Sequence, residues 1–350
     1  MPRTISDYRL YPAIQSQPAE LARLLEANEP IEEAARVVAA AARVFTIGIG
    51  TSSNAAAIGA SMLRDAGVDA RAWSSHDFAA YPPDVTEADA AIVYTHSGGK
   101  QFSLRSLELL GDRGVPTVLL TSTESQINLE ELTAPLTVLR TTTREPSAMF
   151  TFSHTATMML SARIADALRP GAVGDLSAVP AAVEEALALE GQVETLARAW
   201  QGKRTIIGLG AGPHEPTAHE LAIKVPEAAR VASRGYALEQ FLHGPQIQTG
   251  TADAFMIFTS EGPALERAEQ AAAFLLDFGC DVAWVAPVAG PEGCTWLRVA
   301  DVGEALAPLV EVIPAQLLAG HLAALEDVDG DSFRLDDEGW AAAWRAHIKL

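Results

Sequence analysis

The feature that most constrains the fold is a short apolar segment followed by a polar, glycine-containing loop and then a helix. Residues 44–48 predict a buried strand, residues 50–54 form the loop, and an Ala-rich helix is predicted from about 55 to 65. The apolar segment 90–95, with a helix from about 102 to 112, repeats the pattern. Strands that alternate with helices predict βαβ units, a parallel sheet and helices on both of its faces.

The same pattern begins again after a helical bridge at about 170–200. The segment 204–210 repeats the strand-to-glycine design of the first half, and residues 255–260 echo residues 92–97. The two halves therefore read as degenerate copies of one doubly wound unit. Further strands are predicted at 68–73, 116–121, 136–139 and 282–286.

The length of 350 residues also exceeds that of one compact core, so two domains are expected. The predicted fold class is α/β, with two tandem doubly wound parallel-sheet domains of the flavodoxin-like type in a three-layer αβα arrangement. We expect residues 1–180 to form the first domain with an N-terminal helical segment. Residues 181–350 would then form the second domain with a C-terminal helical tail.

The charge balance restricts the partners. Twenty-five basic and 45 acidic residues give a net charge of −20, which repels nucleic acid and anionic membranes, so any phosphate site must be built from local donors. No run approaches the roughly 18 apolar residues of a membrane span, and the N-terminus lacks a secretory signal. Cys280 and Cys294 are the only cysteines, which argues against a disulfide framework or a zinc site and favours the cytoplasm.

Two loops are candidates for binding a phosphate. In a parallel sheet, ligands bind beyond the carboxyl ends of the strands, where residues 48–53 and 95–100 are predicted to lie. Glycines let the backbone approach a ligand, and a helix N-terminus attracts anions. Ser53 stands where a dinucleotide-binding loop needs its third glycine, and the spacing around Lys100 is not that of a Walker A loop. Taken singly, each loop is also compatible with an ordinary structural turn or helix cap.

Together the loops resemble those of SIS (sugar isomerase) domains. Residues 50–52 resemble the G-[TS]-S loop, residues 95–98 resemble the S-x-S-G loop, and residues 145–148 resemble the E-x-x-A segment that opens a helix. Gly99 and Lys100 depart from the usual acid and hydroxyl. The resemblance implies phosphate contacts from Ser52, Thr95 and Ser97, within a candidate phosphate-binding set of Gly50, Thr51, Ser52, Thr95, His96, Ser97, Gly98, Lys100 and Ala148.

The second half carries the more specific resemblance. Residues 220–227 resemble the E-x-A-x-K-x-x-E helix of the isomerase domains of glucosamine-6-phosphate synthases and of related deglycases. Residues 240–245 resemble the E-x-x-HGP turn of the same proteins, with Gln240 at the place of the usual acid and Glu239 one residue early. Neither of those two residues receives a role. With residues 14–18, which are similar to an I-x-x-Q-P segment, the resemblance spans almost the whole chain.

The resemblance implies three catalytic candidates, which the chemistry explains. Aldose–ketose interconversion needs a carboxylate that takes and returns a carbon-bound proton, and Glu227 is the candidate. Sugar rings must first open, and an imidazole suits that proton transfer, so His243 is the second candidate. Lys224 lies one helical turn before Glu227 and is placed to keep it ionised. The alternatives are a surface glutamate, a turn-stabilising histidine and an ordinary exposed ion pair. Pro226 predicts that the helix ends or kinks there.

The expected function is that of a phosphosugar aldose–ketose isomerase or an amino-sugar-phosphate deaminase/isomerase that needs no metal or organic cofactor. A fructosamine 6-phosphate deglycase and a non-catalytic sugar-phosphate-binding regulator are the alternatives. No glutaminase segment precedes the first domain, and Lys349 is the only late lysine, which argues against the synthase itself. The expected partners are a small sugar phosphate and a second copy in a homodimer with shared active sites, with no nucleic acid and no membrane. The remaining histidines are assigned to surface or core: His76, His154, His214, His219, His321 and His347.

Overall fold

The structure is a computed structural model that describes residues 3–348, so Lys349 lies outside the described residues. Within that range, ten strands form two five-stranded sheets in which every paired strand is parallel. The strands are β1 (Val44–Gly48), β2 (Ala70–Ser74), β3 (Ala90–Tyr94), β4 (Thr117–Thr121), β5 (Leu136–Arg140), β6 (Thr205–Gly210), β7 (Ser233–Ala237), β8 (Asp253–Phe258), β9 (Asp281–Ala286) and β10 (Thr295–Arg298).

Helices connect the strands and precede each sheet. The α-helices of the described chain are α1 (Leu10–Gln15), α2 (Gln17–Glu26), α3 (Ile31–Ala40), α4 (Thr51–Asp65), α5 (Ser75–Ala80), α6 (Gln101–Asp112), α7 (Phe152–Leu168), α8 (Val179–Leu187), α9 (Glu190–Trp200), α10 (Glu215–Ala229), α11 (Leu238–Leu242), α12 (Leu265–Asp277), α13 (Ala307–Leu325) and α14 (Glu338–His347). Short 3-10 turns lie at Ile5–Asp7, Leu129–Glu131, Leu176–Ala178, Gly212–His214 and Pro245–Gln248.

The two sheets have the same strand order. The first runs β2-β1-β3-β4-β5, and the second, read from its other edge, runs β7-β6-β8-β9-β10. Each order is that of a flavodoxin-like doubly wound sheet. The predicted fold class is therefore confirmed, and the two halves repeat one topology.

The chain divides into two compact units, each built around one sheet. Within the described residues, the first-sheet unit comprises Ala19–Glu145, Phe152–Ser177 and residues 342–348. The second-sheet unit comprises residues 3–18, Pro146–Thr151 and Ala178–Ala341. Tyr8 belongs to the second-sheet unit, where its hydroxyl donates to the carbonyls of Ala323 and Val328.

The first sheet is covered on both faces. Successive side chains of a strand point to opposite faces. On one face, Phe45 and its neighbours pack against α5 and α6. On the other, the Thr46 hydroxyl donates to the carbonyl of Ala56 in α4, and the Tyr94 hydroxyl lies 2.7 Å from Ser161 Oγ in α7. The apolar cluster of the first face comprises Phe45, Ile47, Phe78, Val85, Ala91, Val93, Leu107, Leu110, Val115 and Leu119.

The second sheet is built in the same way. Residues of β6, β8 and β9 form a buried cluster with α11 and α12 on one face, which includes Trp284 and Phe241. Helices α10 and α13 pack against each other and contact strands of the sheet. A three-layer αβα arrangement thus describes each unit by itself.

Helix α13 corrects one expectation about the chain. It is the one helix within residues 3–348 that is long and apolar enough, by length and composition, to cross a membrane. The apolar run escaped notice in the sequence because Glu311, Gln316 and His321 interrupt it. Eighty-nine per cent of its apolar window is buried within the protein, as in the core helix of a folded domain.

Candidate active site

The loops after β1 and β3 extend from one edge of the first sheet. β1 and β3 are neighbours in register, with Ile47 opposite Val93, and β2 pairs with the other side of β1. The chain therefore leaves β1 and β3 in opposite directions across the sheet. Such a topological switch point is where doubly wound sheets bind their ligands.

Two glycines shape the loop after β1. A Cβ atom on Gly48 would lie 2.1 Å from the carbonyl oxygen of Ser52, so no side chain fits where the strand meets α4. Gly50 has a φ of 59° and immediately precedes α4. The backbone N–H groups of Thr51 and Ser52 thus lie in the first turn of a 15-residue helix, where anions are favoured.

Thr95 is the most informative residue of the loop after β3. Its side chain is almost fully buried, with a relative exposure of 3%, and its Oγ1 makes no hydrogen bond. A buried hydroxyl without a partner costs roughly 1–3 kcal/mol, so such a group points to a bound ligand. Thr95 directly follows β3 at the switch point.

His96 joins this loop to the segment after β5. Its Nε2 accepts a hydrogen bond of 3.3 Å from the N–H of Glu145, and the Glu145 carboxylate accepts one of 2.8 Å from the N–H of Ser153. Burial, together with the charge of Arg144, lowers the pKa of His96 from 6.5 to about 4. At neutral pH the ring is therefore uncharged and carries its proton on Nδ1, because Nε2 is the acceptor.

The remaining predicted phosphate-binding residues lie in different settings. Gly98 is buried with a φ of +73°, and a Cβ there would lie 2.2 Å from Ser125 Oγ. Half-buried Lys100 directly precedes α6. The Ser97 carbonyl accepts from the N–H of Gln126. Ala148 belongs to the second-sheet unit, where its N–H donates to the carbonyl of Asp331.

Three charged residues of α10 form a buried row. Lys224 Nζ lies 3.5 Å from Glu220 Oε1 and 2.5 Å from Glu227 Oε2. The side chains of Lys224 and Glu220 are fully buried, whereas that of Glu227 keeps 23% of its surface exposed. The interpretation of Lys224 and Glu227 as an ordinary exposed ion pair is therefore wrong. A buried ammonium requires paired carboxylates, and this row leaves Glu227 as the member that a ligand can reach.

Pro226 does not end the helix, contrary to one of the two outcomes predicted for it. α10 continues to Ala229 and stops at Arg230, which has a φ of 57° and donates its N–H to the carbonyl of Pro226. The proline removes only its own N–H from the helical hydrogen bonds, and the helix tolerates this loss near its end. Glu227 consequently stays in the last turn of α10, one turn after Lys224.

His243 lies at the end of α11 and is held by an acid. Its Nε2 lies 2.8 Å from Glu239 Oε1, and Arg267 donates to both Glu239 oxygens at 2.6 and 3.0 Å. These contacts, first that of Arg267 and then that of His243, lower the pKa of Glu239 to about 2. Glu239 received no role from the sequence pattern because it stands one residue early, yet residues four apart on a helical turn face each other. The ring of His243 itself is well exposed, at 68%.

A second polar cluster went unnoticed in the sequence. His214, assigned only to surface or core, is buried with Nδ1 2.7 Å from Glu311 Oε2 and Nε2 3.1 Å from Ser260 Oγ. It stands four residues after Gly210, as Ser52 stands four after Gly48. A Cβ on Gly210 would lie 2.3 Å from the carbonyl oxygen of His214. The internal repeat was the signal that could have found it, since it places His214 at the switch point of the second sheet.

Comparison with known proteins gives a family match for part of the chain. Residues 38–165 match the family model described as SIS domain. The glutamine–fructose-6-phosphate aminotransferase [isomerizing] of Pyrobaculum aerophilum is 27% identical over 344 residues, which cover 92% of this chain and 55% of that protein. The chain thus spans about half the length of this relative, and less of others that it matches.

Solved structures show the same fold at low sequence identity. The C-terminal domain of glucosamine-fructose-6-phosphate aminotransferase from Francisella tularensis superposes with a TM-score of 0.82 and 18% identity, covering 93% of this chain and 98% of that one. Glucosamine-6-phosphate deaminase from Thermotoga maritima gives 0.73 and 19%, covering 92% and 96%. Residues 38–165 therefore match an SIS domain, and the described chain has the fold of these solved structures.

Proposed function

We propose that the protein is a phosphosugar aldose–ketose isomerase or an amino-sugar-phosphate deaminase/isomerase. The names of its relatives support this class, since they include isomerizing aminotransferases and a glucosamine-6-phosphate deaminase. The observation that carries the proposal is the buried Lys224, which holds the partly exposed carboxylate of Glu227 at 2.5 Å. A carboxylate fixed by a buried cation and open on one side suits proton abstraction from carbon.

The phosphate of the sugar would bind at the switch point of the first sheet. The N–H groups at the start of α4 and the hydroxyls of Ser52, Thr95 and Ser97 would surround its oxygens, with Lys100 supplying positive charge. The buried Thr95 hydroxyl supports this placement because it makes no hydrogen bond. Neutral His96 would add a donor at Nδ1 without repelling a second cation.

In the proposed proton transfer, Glu227 acts first as a base and then as an acid. The carboxylate of Glu227 takes the proton from C2 of the open-chain aldose, the C–H electron pair forms the enediol double bond, and the carbonyl oxygen receives a proton. When Glu227 returns its proton to C1, the C2 hydroxyl gives up its proton and the C2=O bond of the ketose forms, so the proton gained by O1 is balanced by the one lost from O2. Lys224 favours the ionised form of Glu227 before it takes the proton and after it returns it, and Glu220 pairs with the other side of Lys224.

Ring opening falls to His243. If Nε2 donates its proton to Glu239, the neutral ring offers Nδ1 as a base for the anomeric hydroxyl. The same proton can then pass to the ring oxygen as the C1–O bond opens. We further propose that the protein works as a homodimer with shared sites, and that its two domains divide near residues 180 and 181.

Coupled assays on a panel of hexose, hexosamine and fructosamine 6-phosphates test this function. We expect turnover of at least one phosphosugar, and a loss of roughly 10²- to 10⁴-fold in kcat for Glu227→Gln, as for the removal of a general base. Release of ammonia or of another amine would identify a deaminase or a deglycase. Calorimetric binding of a phosphosugar without turnover would favour the regulator and contradict the enzyme.

A further inference from the structure

A cavity of about 500 Å³ lies within the second-sheet unit, away from every residue named in the proposed reaction. Its walls come from the N-terminal segment around Arg3 and Tyr11, from α9 and from the C-terminal part of α13. Its volume is within the range of small-molecule sites, roughly 300–1,000 Å³. Its lining combines apolar surface with the polar side chains of Glu190, Glu194 and His321.

The floor of the cavity holds an imidazole with an unused nitrogen. His321 is 6% exposed, and its Nε2 makes no hydrogen bond. The nearest partner is Glu190 Oε1, at 3.8 Å, which is too long for a hydrogen bond. The other oxygen of Glu190 already accepts from the Tyr11 hydroxyl at 3.0 Å and from Gln15 at 3.2 Å, so the carboxylate is fixed in place.

His321 Nε2 and Glu190 Oε1 can both be satisfied by one donor group that carries more than one hydrogen. Burial, opposed by Glu190 and Glu194, lowers the pKa of His321, so the ring is neutral and its Nε2 can accept. Glu190 Oε1 also accepts. One nitrogen at about 2.8 Å from both atoms, a distance normal for charge-assisted hydrogen bonds, satisfies them together. A primary ammonium group has three N–H donors and the charge that the Glu190 carboxylate favours.

The rim of the cavity carries the opposite charge. Arg3 and Arg198 line it, and each pairs with an exposed acid: Arg3, which also lies over the Tyr8 ring, with Asp327 at 3.3 Å, and Arg198 with Glu194 at 2.6 Å. Exposed pairs of this kind contribute about 0–1 kcal/mol, so either guanidinium can turn to an anionic ligand group at little cost. The cavity thus presents acceptors at its floor and cations at its rim.

We propose that this cavity binds a small molecule carrying both a primary ammonium group and an anionic group. The ammonium would bridge Glu190 and His321, and the anion would face Arg3 and Arg198. Amino-sugar phosphates and free amino acids share this chemistry. The site would let such a compound act on the protein without occupying the loops after β1 and β3.

Histidine Cε1–Hε1 resonances of the full chain provide a local readout. The signal of His321 is assigned with His321→Asn, and that of His96 reports separately on the loop after β3. We expect glucosamine 6-phosphate or glutamate to shift the His321 signal saturably, with the active compound identifying the source. Glucose 6-phosphate, which lacks the amine, should leave it unmoved. No saturable shift with either amine, or an equal shift with glucose 6-phosphate, overturns the proposal.

A matched pair of variants tests the role of the carboxylate. Glu190→Gln keeps an oxygen for Tyr11 but removes the charge, and should weaken binding of the amine by roughly tenfold or more, as for a lost charge-assisted hydrogen bond. Glu185→Gln changes an exposed acid on the preceding helix and should leave the affinity unchanged. Unfolding midpoints confirm that both variants fold. Equal affinities in Glu190→Gln and the unmodified protein contradict the site.

Discussion

Glu239 Oε1 lies 2.8 Å from His243 Nε2, and Arg267 holds the same carboxylate from its other side. This contact gives His243 a fixed ring orientation although the side chain is exposed. The acid one residue before the usual place makes this contact because one turn of helix separates it from the histidine.

Replacing Glu239 with Gln tests this contact. The change keeps a hydrogen-bond acceptor for the ring but removes the negative charge of the contact. We expect kcat to fall about tenfold, a fraction of the roughly 10²- to 10⁴-fold effect of general acid–base catalysis. Gln240→Glu serves as the control and should retain activity. A Glu239→Gln enzyme as active as the unmodified protein would exclude a positioning role.

Lys224→Met tests the buried row of α10. The substitution leaves Glu220 fully buried without its cation, so we expect the free energy of unfolding to fall by about 3–5 kcal/mol. The double variant with Glu220→Gln should recover part of that loss, since no buried charge then lacks a partner. Urea denaturation followed by circular dichroism measures both. Equal stabilities of Lys224→Met and the unmodified protein would show that the buried ion pair does not stabilise the fold.

Thr46 in β1 and Thr95, which directly follows the neighbouring β3, are both buried. Their substitutions by valine can therefore be compared directly. Thr95→Val removes a hydroxyl without a hydrogen bond, so stability should be unchanged or higher, while phosphosugar affinity should fall by roughly tenfold. Thr46→Val removes a hydroxyl that donates to Ala56 at 2.8 Å, and should lower stability by about 1 kcal/mol or more. Calorimetry and thermal unfolding separate the two effects. A Thr95→Val protein that binds normally would place the phosphate elsewhere.

The lowered pKa of His96 predicts that the stability of the protein depends on pH. Burial lowers its pKa from 6.5 to about 4, so between these values the unfolded chain binds a proton that the folded chain does not. Stability from this group is therefore complete above pH 6.5 and is lost as the pH falls to about 4, by roughly 3 kcal/mol in all. His96→Gln should flatten this part of the profile, whereas His76→Gln, which changes an exposed histidine, should not. Identical acid profiles for the three proteins would contradict the assignment.

Mixing two inactive variants tests the proposed sharing of active sites between subunits. Glu227→Gln and His243→Gln chains, unfolded together and refolded, should regain part of the activity if a site takes the glutamate from one chain and the histidine from another. Each variant refolded alone should stay inactive. No recovery, with mixed dimers demonstrated by differential tagging, would place both groups in one chain.

Much of the fold was predictable because its central strands are buried on both faces. Such strands appear as unbroken apolar runs: β1, β3 and β4 were predicted to within one residue at each end, and β8 was predicted two residues late. β7 and β10 were missed, although the other two edge strands, β2 and β5, were predicted. β7 contains an arginine and a glycine, and β10 is largely exposed, so neither shows an apolar run.

The sequence predicted which residues form the candidate site, but not how deeply they are buried or which partners they contact. The pattern of α10 named Glu227 and Lys224, but spacing alone could not tell a buried row from an exposed pair, since burial depends on α13 packing against α10. The partner of His243 was missed because the expected acid was sought at a fixed place. His214 and Glu311 are 97 residues apart, a contact that no local pattern reveals.

At Gly48 and at Gly210, the backbone of the following helix comes so close that only glycine fits. Each half of the chain must therefore keep its glycine, whereas other positions of the loop are free to change. Each glycine fixes the angle between a strand and the helix that follows it. The side chain four positions later takes no part in this backbone contact. One copy places a small hydroxyl there, and the other places an imidazole that its own carboxylate engages. A duplicated fold of this kind can therefore keep one switch point open for a ligand and fill the other with its own side chains. The backbone of neither half has to change.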